Sequence, residues 1–206
     1  MLITFEGLDY SGKSTQVRLL SDRLTIQDYH VLVLREPGGT EIGEKIRKML
    51  LDKTNTGMTE ASELFLFSAC RSQLIKDVVL PAMEGGIVVL CDRYYDSTTA
   101  YQGYGRGIDL DVIQSINRFA TGGLVPDLTF FLDIPIREIE KRISAAKTNK
   151  DRMESSGMEF YERVREGYLQ IAKKEPRYHI INGLQPVDDV HEIIYQHAVE
   201  ALAAKK

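Results

Sequence analysis

The 206-residue chain has no tryptophan, two cysteines, four histidines and six prolines. Cys70 and Cys91 are too few for a disulfide framework, and with the scattered histidines they give no zinc-ligand spacing. Reduced, structural thiols in a cytoplasmic protein are the expectation. No apolar run approaches the roughly 18 residues that a membrane-spanning helix needs, so no membrane partner is expected. The first residues lead directly into a strand, which leaves no room for a signal peptide. Positive charge is not in excess either: 26 Lys and Arg face 30 Asp and Glu, for a net charge of −4. A general nucleic-acid binder would want a basic surface for its phosphate contacts, and that class is set aside. No internal repeat or low-complexity segment interrupts the chain. A hydrophobic content of 43% over this length predicts one domain, residues 1–206, with a sizeable core.

Against that plain background one stretch stands out, Gly7-Leu8-Asp9-Tyr10-Ser11-Gly12-Lys13-Ser14. It fits the phosphate-loop pattern of Gly, four residues, Gly-Lys and then Ser or Thr. Glycine lets backbone approach phosphate oxygens. Lysine supplies a point charge for the outer phosphates, and the hydroxyl suits Mg²⁺. The pattern is short, so context decides. Leu2 to Glu6 reads as a strand entering the loop, and Thr15 to Asp28 follows with Val17, Leu20 and Leu24 at helical spacing. A helix N-terminus then faces the phosphates. Binding of a nucleoside triphosphate is the reading.

Further along, apolar runs predict strands at 30–34, 86–92, 128–133 and 178–181, separated by helical patterns. A long helix is expected over 59–83. Ser97 to Gln102 reads as a helical turn, and Gly103, Gly105 and Gly107 as a flexible loop after it. A capping box, Ser156 with Glu159, is expected to open a helix that runs to Lys174. Alternating strands and helices predict an α/β fold, a doubly wound five-stranded parallel sheet whose ligands sit at the strand carboxyl ends. Every polar cluster follows a strand: Asp9, then Arg35 to Thr40, then Asp92-Arg93. Asp92 has the place of a Walker-B carboxylate for Mg²⁺, against the blander reading of a helix cap. Arg93 could merely pair with Asp92. Arg71 lies one turn after Phe67, which could stack and read one base; spacing alone favours a core phenylalanine and a surface arginine. Lys147, Lys150 and Arg152 crowd a polar segment at about 146–156, either a solvated loop or a lid bringing cations over a phosphoryl group.

Taken in order, these residues resemble a known family, the bacterial thymidylate kinases. The likeness rests on Phe5-Glu6-Gly7-Leu8-Asp9 with Gly12-Lys13-Ser14, Arg35-Glu36-Pro37-Gly38-Gly39, Leu66 to Arg71, Asp92-Arg93-Tyr94 with Ala100-Tyr101-Gln102-Gly103, and Asp151-Arg152. The resemblance implies a P-loop kinase fold and transfer of the ATP γ-phosphoryl group to thymidine 5′-monophosphate (dTMP), with Mg²⁺. It implies that Phe67 stacks on thymine, that Arg71 and Gln102 bond the base edge, and that Pro37 and Thr98 join the substrate contacts. Asp9 would lie near the sugar 3′-hydroxyl, Tyr101 at its 2′ face, and Arg35, Arg47 and Arg93 around the acceptor phosphate. Residues 7–15, including Thr15, would hold ATP, with Arg142 and Asn182 beside adenine. Ser14 and Asp92 form the implied metal pair, and Lys13, Asp9, Arg93 and Arg152 the implied catalytic set. The family is usually homodimeric. One position departs from it: Tyr10 stands where one branch has arginine and the other a small residue. A kinase for another nucleotide or deoxynucleoside, and a P-loop switch hydrolysing a nucleotide, are the alternatives.

Overall fold

The computed structural model describes residues 1–146, 151–153 and 157–205. At its centre lie five parallel strands: β1 (Leu2–Glu6), β2 (Val31–Arg35), β3 (Val88–Asp92), β4 (Leu128–Asp133) and β5 (Tyr178–Asn182). Their order is β2-β3-β1-β4-β5. All residues of β1 and β3 are buried, as expected of continuous apolar runs covered on both faces.

The two-residue period of the strands sorts the core into layers. On one face Ile3, Phe5 and Phe130 meet Leu20 and Leu24 of α1 (Lys13–Ile26) and Ile194 and Ala198 of α9 (Val187–Ala204). On the other, Leu2 and Val89 meet Leu74 of α3 (Glu60–Leu74). Phe131 meets Val164 and Tyr168 of α8 (Met158–Lys174) there. The register brings the strand ends to one level. Phe5 and Arg35 both stand opposite Asp92, and Glu6 opposite Phe131.

The long helix forms with one irregularity. After α3, capped by Thr59, the turns widen to π-helical over Ile75–Val79 and resume as α4 (Leu80–Glu84). Pro81, which has no N–H for the preceding turn, sits where regular spacing returns. The expected glycine loop is overturned for Gly103 and Gly105 and reduced to a short connection around Gly107. Helix α5 (Tyr95–Thr98) continues as wide turns over Thr99–Gly105, so Gly103 and Gly105 lie inside helix. These glycines serve packing. A Cβ on Gly105 would stand 2.7 Å from Phe160, and one on Gly103 2.8 Å from Leu110.

Among the other helices, α2 (Glu41–Leu51) is capped by Thr40 and α6 (Leu110–Thr121) by Asp109, and α7 (Ile136–Ala146) begins just after Pro135. Helix α8 is preceded by Gly157 without a side-chain cap. Ser156 of the expected capping box lies outside the described residues, as do Lys147 and Lys150. No described helix is long and apolar enough to cross a membrane.

Candidate active site

The strand carboxyl ends open into a cavity of about 520 Å³. Asp9 to Thr15, Arg35 to Pro37, Asp92-Arg93 and Thr98 to Gln102 all contribute walls. Three separate post-strand clusters thus meet, as a parallel sheet requires.

The phosphate loop turns between β1 and α1. Gly7 has φ 139° and Gly12 φ 100°, conformations that an L side chain resists. Gly7 owes its identity to a neighbouring strand as well as to any ligand: a Cβ there would lie 2.7 Å from the Leu132 carbonyl oxygen. Leu8 points into the core, and the buried Ser11 hydroxyl has no hydrogen-bond partner among the described residues. Lys13 is 6% exposed, its ammonium donating to the carbonyls of Gly7 (3.2 Å) and Leu8 (2.8 Å). Burial and the nearby Arg93 pull its pKa down to about 8, against the opposite pull of Asp92, Asp9 and Glu6. Ser14 Oγ donates to Asp92 Oδ2 at 2.6 Å, which joins the two expected metal ligands. Tyr10 lines the cavity with φ 63°, a left-handed conformation costing on the order of 1–2 kcal/mol.

Arg93, also left-handed at φ 74°, does not pair with Asp92. Its guanidinium donates to Asp9 Oδ1 at 2.7 Å, to the Gly7 carbonyl at 2.9 Å and to the hydroxyls of Ser97, Tyr101 and Tyr168. It therefore ties β3 to the phosphate loop. Burial would raise the Asp9 carboxyl, but Arg93 and Lys13 outweigh burial and hold it below the ordinary range. Beneath lies Glu6, fully buried, which accepts from Tyr94 N, Ser97 Oγ and Tyr168 Oη. Burial, with Asp96 nearby, moves its pKa up to about 7.

The spacing argument for Phe67 and Arg71 is reversed. Arg71 is the buried one, at 1% exposure, while Phe67 is half-buried on the cavity wall. Three acceptors make that burial tolerable. Arg71 donates to Glu36 Oε2 at 2.7 Å, to Thr98 Oγ1 at 2.9 Å and to the Tyr94 carbonyl at 3.1 Å. Glu36 precedes a cis peptide bond to Pro37, whose carbonyl accepts from Arg47 at 2.7 Å. Arg35 is more exposed and pairs with Glu44 at 3.3 Å. Tyr101 and Gln102 complete the wall.

Two expected residues lie elsewhere. Arg152 does not line the cavity; it donates to the Leu50 carbonyl at 2.7 Å and pairs with Glu63 at 2.6 Å. Asn182 is exposed, its side chain accepting from Leu184 N. Arg142 does reach the cavity and bridges the carbonyls of Tyr10 and Gly183. Sequence reasoning overlooked Glu63, whose buried carboxylate accepts from Gln102, Arg106 and Arg152. Its place four residues before Phe67 and eight before Arg71 was the available signal.

The arrangement can hold two phosphate-bearing molecules with their phosphates between Lys13, Arg93, Arg35 and Arg47. Comparison with known proteins agrees. The thymidylate kinase family model matches residues 5–194. A thymidylate kinase of Chlorobium luteolum is 50% identical over 203 residues, 94% of each chain. That of Chlorobaculum tepidum is 47% identical over all of this chain and 99% of its own. The crystal structure of thymidylate kinase from Ehrlichia chaffeensis superposes with a TM-score of 0.78 at 37% identity, covering 96% of this chain and 98% of its own. A parallel sheet in this order, a phosphate loop on its first strand and relatives matching nearly end to end lead to one conclusion: the chain belongs to the thymidylate kinase family.

Proposed function

We propose that this chain transfers the γ-phosphoryl group of ATP to thymidine 5′-monophosphate, giving ADP and thymidine diphosphate. One observation carries the reading. A single cavity joins a phosphate loop to a pocket walled by an aromatic ring, a buried arginine and a buried amide. A switch that only hydrolyses a nucleotide has no need of that second pocket.

In this reading the loop amides and Lys13 hold the ATP phosphates, with Arg142 on the adenine side and Asn182 at its border. Arg35, Arg47 and Arg93 offset the charge of the acceptor phosphate. Phe67 stacks on the base, Arg71 and Gln102 read its edge, and Pro37 and Thr98 shape the pocket. Asp9 and Tyr101 face the sugar. The oxygens of Ser14 and Asp92, 2.6 Å apart, suit a hard cation that takes its remaining ligands from water and phosphate. When bound there, Mg²⁺ would neutralise charge on the phosphate oxygens. Charge on the transferred group spreads over its equatorial oxygens, so positioning and fixed cations do most of the work. No general base is required, because a phosphate monoester is largely ionised at pH 7.

Tyr10 cannot supply a cation, since its phenol is neutral near pH 7. We assign that charge to Arg152 in a lid at about 146–156 within a single 1–206 domain. Arg152 reaches the phosphates by exchanging Glu63 for them. Phe65 of α3 is 60% exposed, and Val112 and Phe119 of α6 are 48% and 90% exposed; these apolar side chains support a homodimer. The cytoplasm, where ATP is plentiful and the two thiols stay reduced, fits the activity.

A coupled ADP-release assay with ATP, Mg²⁺ and each of dTMP, dUMP, dCMP and thymidine tests the reading. Preference for dTMP is expected. Equal ADP release with no acceptor present would replace the kinase by a hydrolase.

A further inference from the structure

Glu63 belongs to neither the phosphate loop nor the cavity wall, yet it touches both the base pocket and Arg152. It lies on α3 one turn before Phe67 and two before Arg71, on the same stripe of the helix. Only 1% of it is exposed. Its Oε1 accepts from Gln102 Nε2 at 2.9 Å and from Arg106 Nε at 3.2 Å. Its Oε2 accepts from an Arg106 terminal nitrogen at 3.2 Å and pairs with Arg152 at 2.6 Å. Four donors use the acceptor sites of one carboxylate. Burial would favour the neutral acid, but Arg106, Gln102 and Arg152 outweigh it and keep the group ionised.

An ionised carboxylate only accepts hydrogen bonds. The end of Gln102 facing Glu63 must therefore be its amino group, whichever way the amide might otherwise turn. That leaves the amide oxygen as the end offered to the cavity, which Gln102 lines. We propose that Glu63 is a positioning residue for base selectivity, holding Gln102 as a hydrogen-bond acceptor toward the substrate base. The assignment rests on the pyrimidine monophosphate pocket described above. Thymine and uracil carry N–H at ring position 3 and match an acceptor. Cytosine presents a lone pair there, which leaves two acceptors facing each other and neither satisfied. A neutral amide at position 63 could accept as well as donate, so Gln102 could turn over and tolerate cytosine.

The test is kcat/KM for dTMP, dUMP and dCMP with saturating ATP, in the full chain and in Glu63→Gln. The preference for dTMP over dCMP should fall about tenfold or more, a typical consequence of losing polar discrimination. The preference for dTMP over dUMP should hold, because uracil carries the same N–H; any effect of a freed Arg152 on the ATP phosphates is common to all three acceptors and cancels in these ratios. General loosening of α3 would lower all three substrates together and leave both ratios intact; that result overturns the proposal. Glu63→Asp keeps the charge that Arg106 and Arg152 need but withdraws it from Gln102 by one methylene. It should shift the same single ratio, and an unshifted ratio there is equally fatal if Glu63→Gln does not fold. A wild-type chain that phosphorylates none of the three would instead sink the kinase reading itself.

Discussion

At the scale of single residues, charge placement governs what each substitution should do. Lys13→Ala removes the cation of the phosphate loop and should cost about a hundredfold or more in turnover while circular dichroism stays native. The same lysine predicts a pH dependence. Burial brings its pKa from 10.5 to about 8, and its protonated form is the one that attracts phosphate. ATP affinity should therefore be level near pH 7 and weaken above pH 8, approaching about tenfold per pH unit. Calorimetric titration from pH 7 to 9.5 measures this. Lys13→Arg, whose guanidinium stays charged throughout, should flatten the upper limb. For Arg152, the expected loss on change to Ala is on the order of 10²-fold in kcat. Tyr10→Gly should cost less than about tenfold, since it removes no charge. Loss in KM for dTMP with kcat intact would confine Arg152 to its contact with Glu63.

At the scale of elements, α8 and the wide turns of Thr99–Gly105 approach each other closely. Glycines are used from both sides: a Cβ on Gly105 would meet Phe160 and Val164 at 2.7 and 2.8 Å, and one on Gly167 would meet Tyr104 at 2.8 Å. That contact holds Tyr101 and Gln102 against the cavity while Tyr168 of α8 reaches Arg93. Gly105→Ala should destabilise the fold by about 1–3 kcal/mol through overpacking, although alanine is the better helix former. Thermal unfolding decides the sign. A rise in Tm would mean that propensity outweighs the clash.

At the scale of the whole molecule, the proposed homodimer rests on the exposed apolar side chains of α3 and α6. Phe119→Asp places a charge on that surface, and under the homodimer proposal it should shift sedimentation from dimer toward monomer, with little change in circular dichroism. A wild-type chain that sediments as a monomer at micromolar concentration would remove the homodimer from the reading.

The strands, the phosphate loop and the polar clusters behind each strand were legible in the sequence. They rest on local rules: apolar runs, glycine spacing, and the convergence of strand ends in a parallel sheet. Lys13, Ser14 and Asp92 could be placed that way before any coordinates. Arg71 and Phe67 could not, because spacing and residue type favoured a core phenylalanine and a surface arginine, the reverse of what the fold buries. That choice depends on Glu36, Thr98 and Tyr94, which come from distant parts of the chain to satisfy the guanidinium. The glycines after Tyr101 read locally as a loop, since an isolated glycine favours one. Tertiary packing of Gly105 on Phe160 and Val164, and of Gly103 on Leu110, put those two inside helix, because only a residue without a side chain allows so close an approach; Gly107 remained outside it. Glu63 was hidden for a related reason. A lone glutamate on a helix reads as solvent-facing, and only the fold brings Gln102, Arg106 and Arg152 to its carboxylate and so makes its burial affordable.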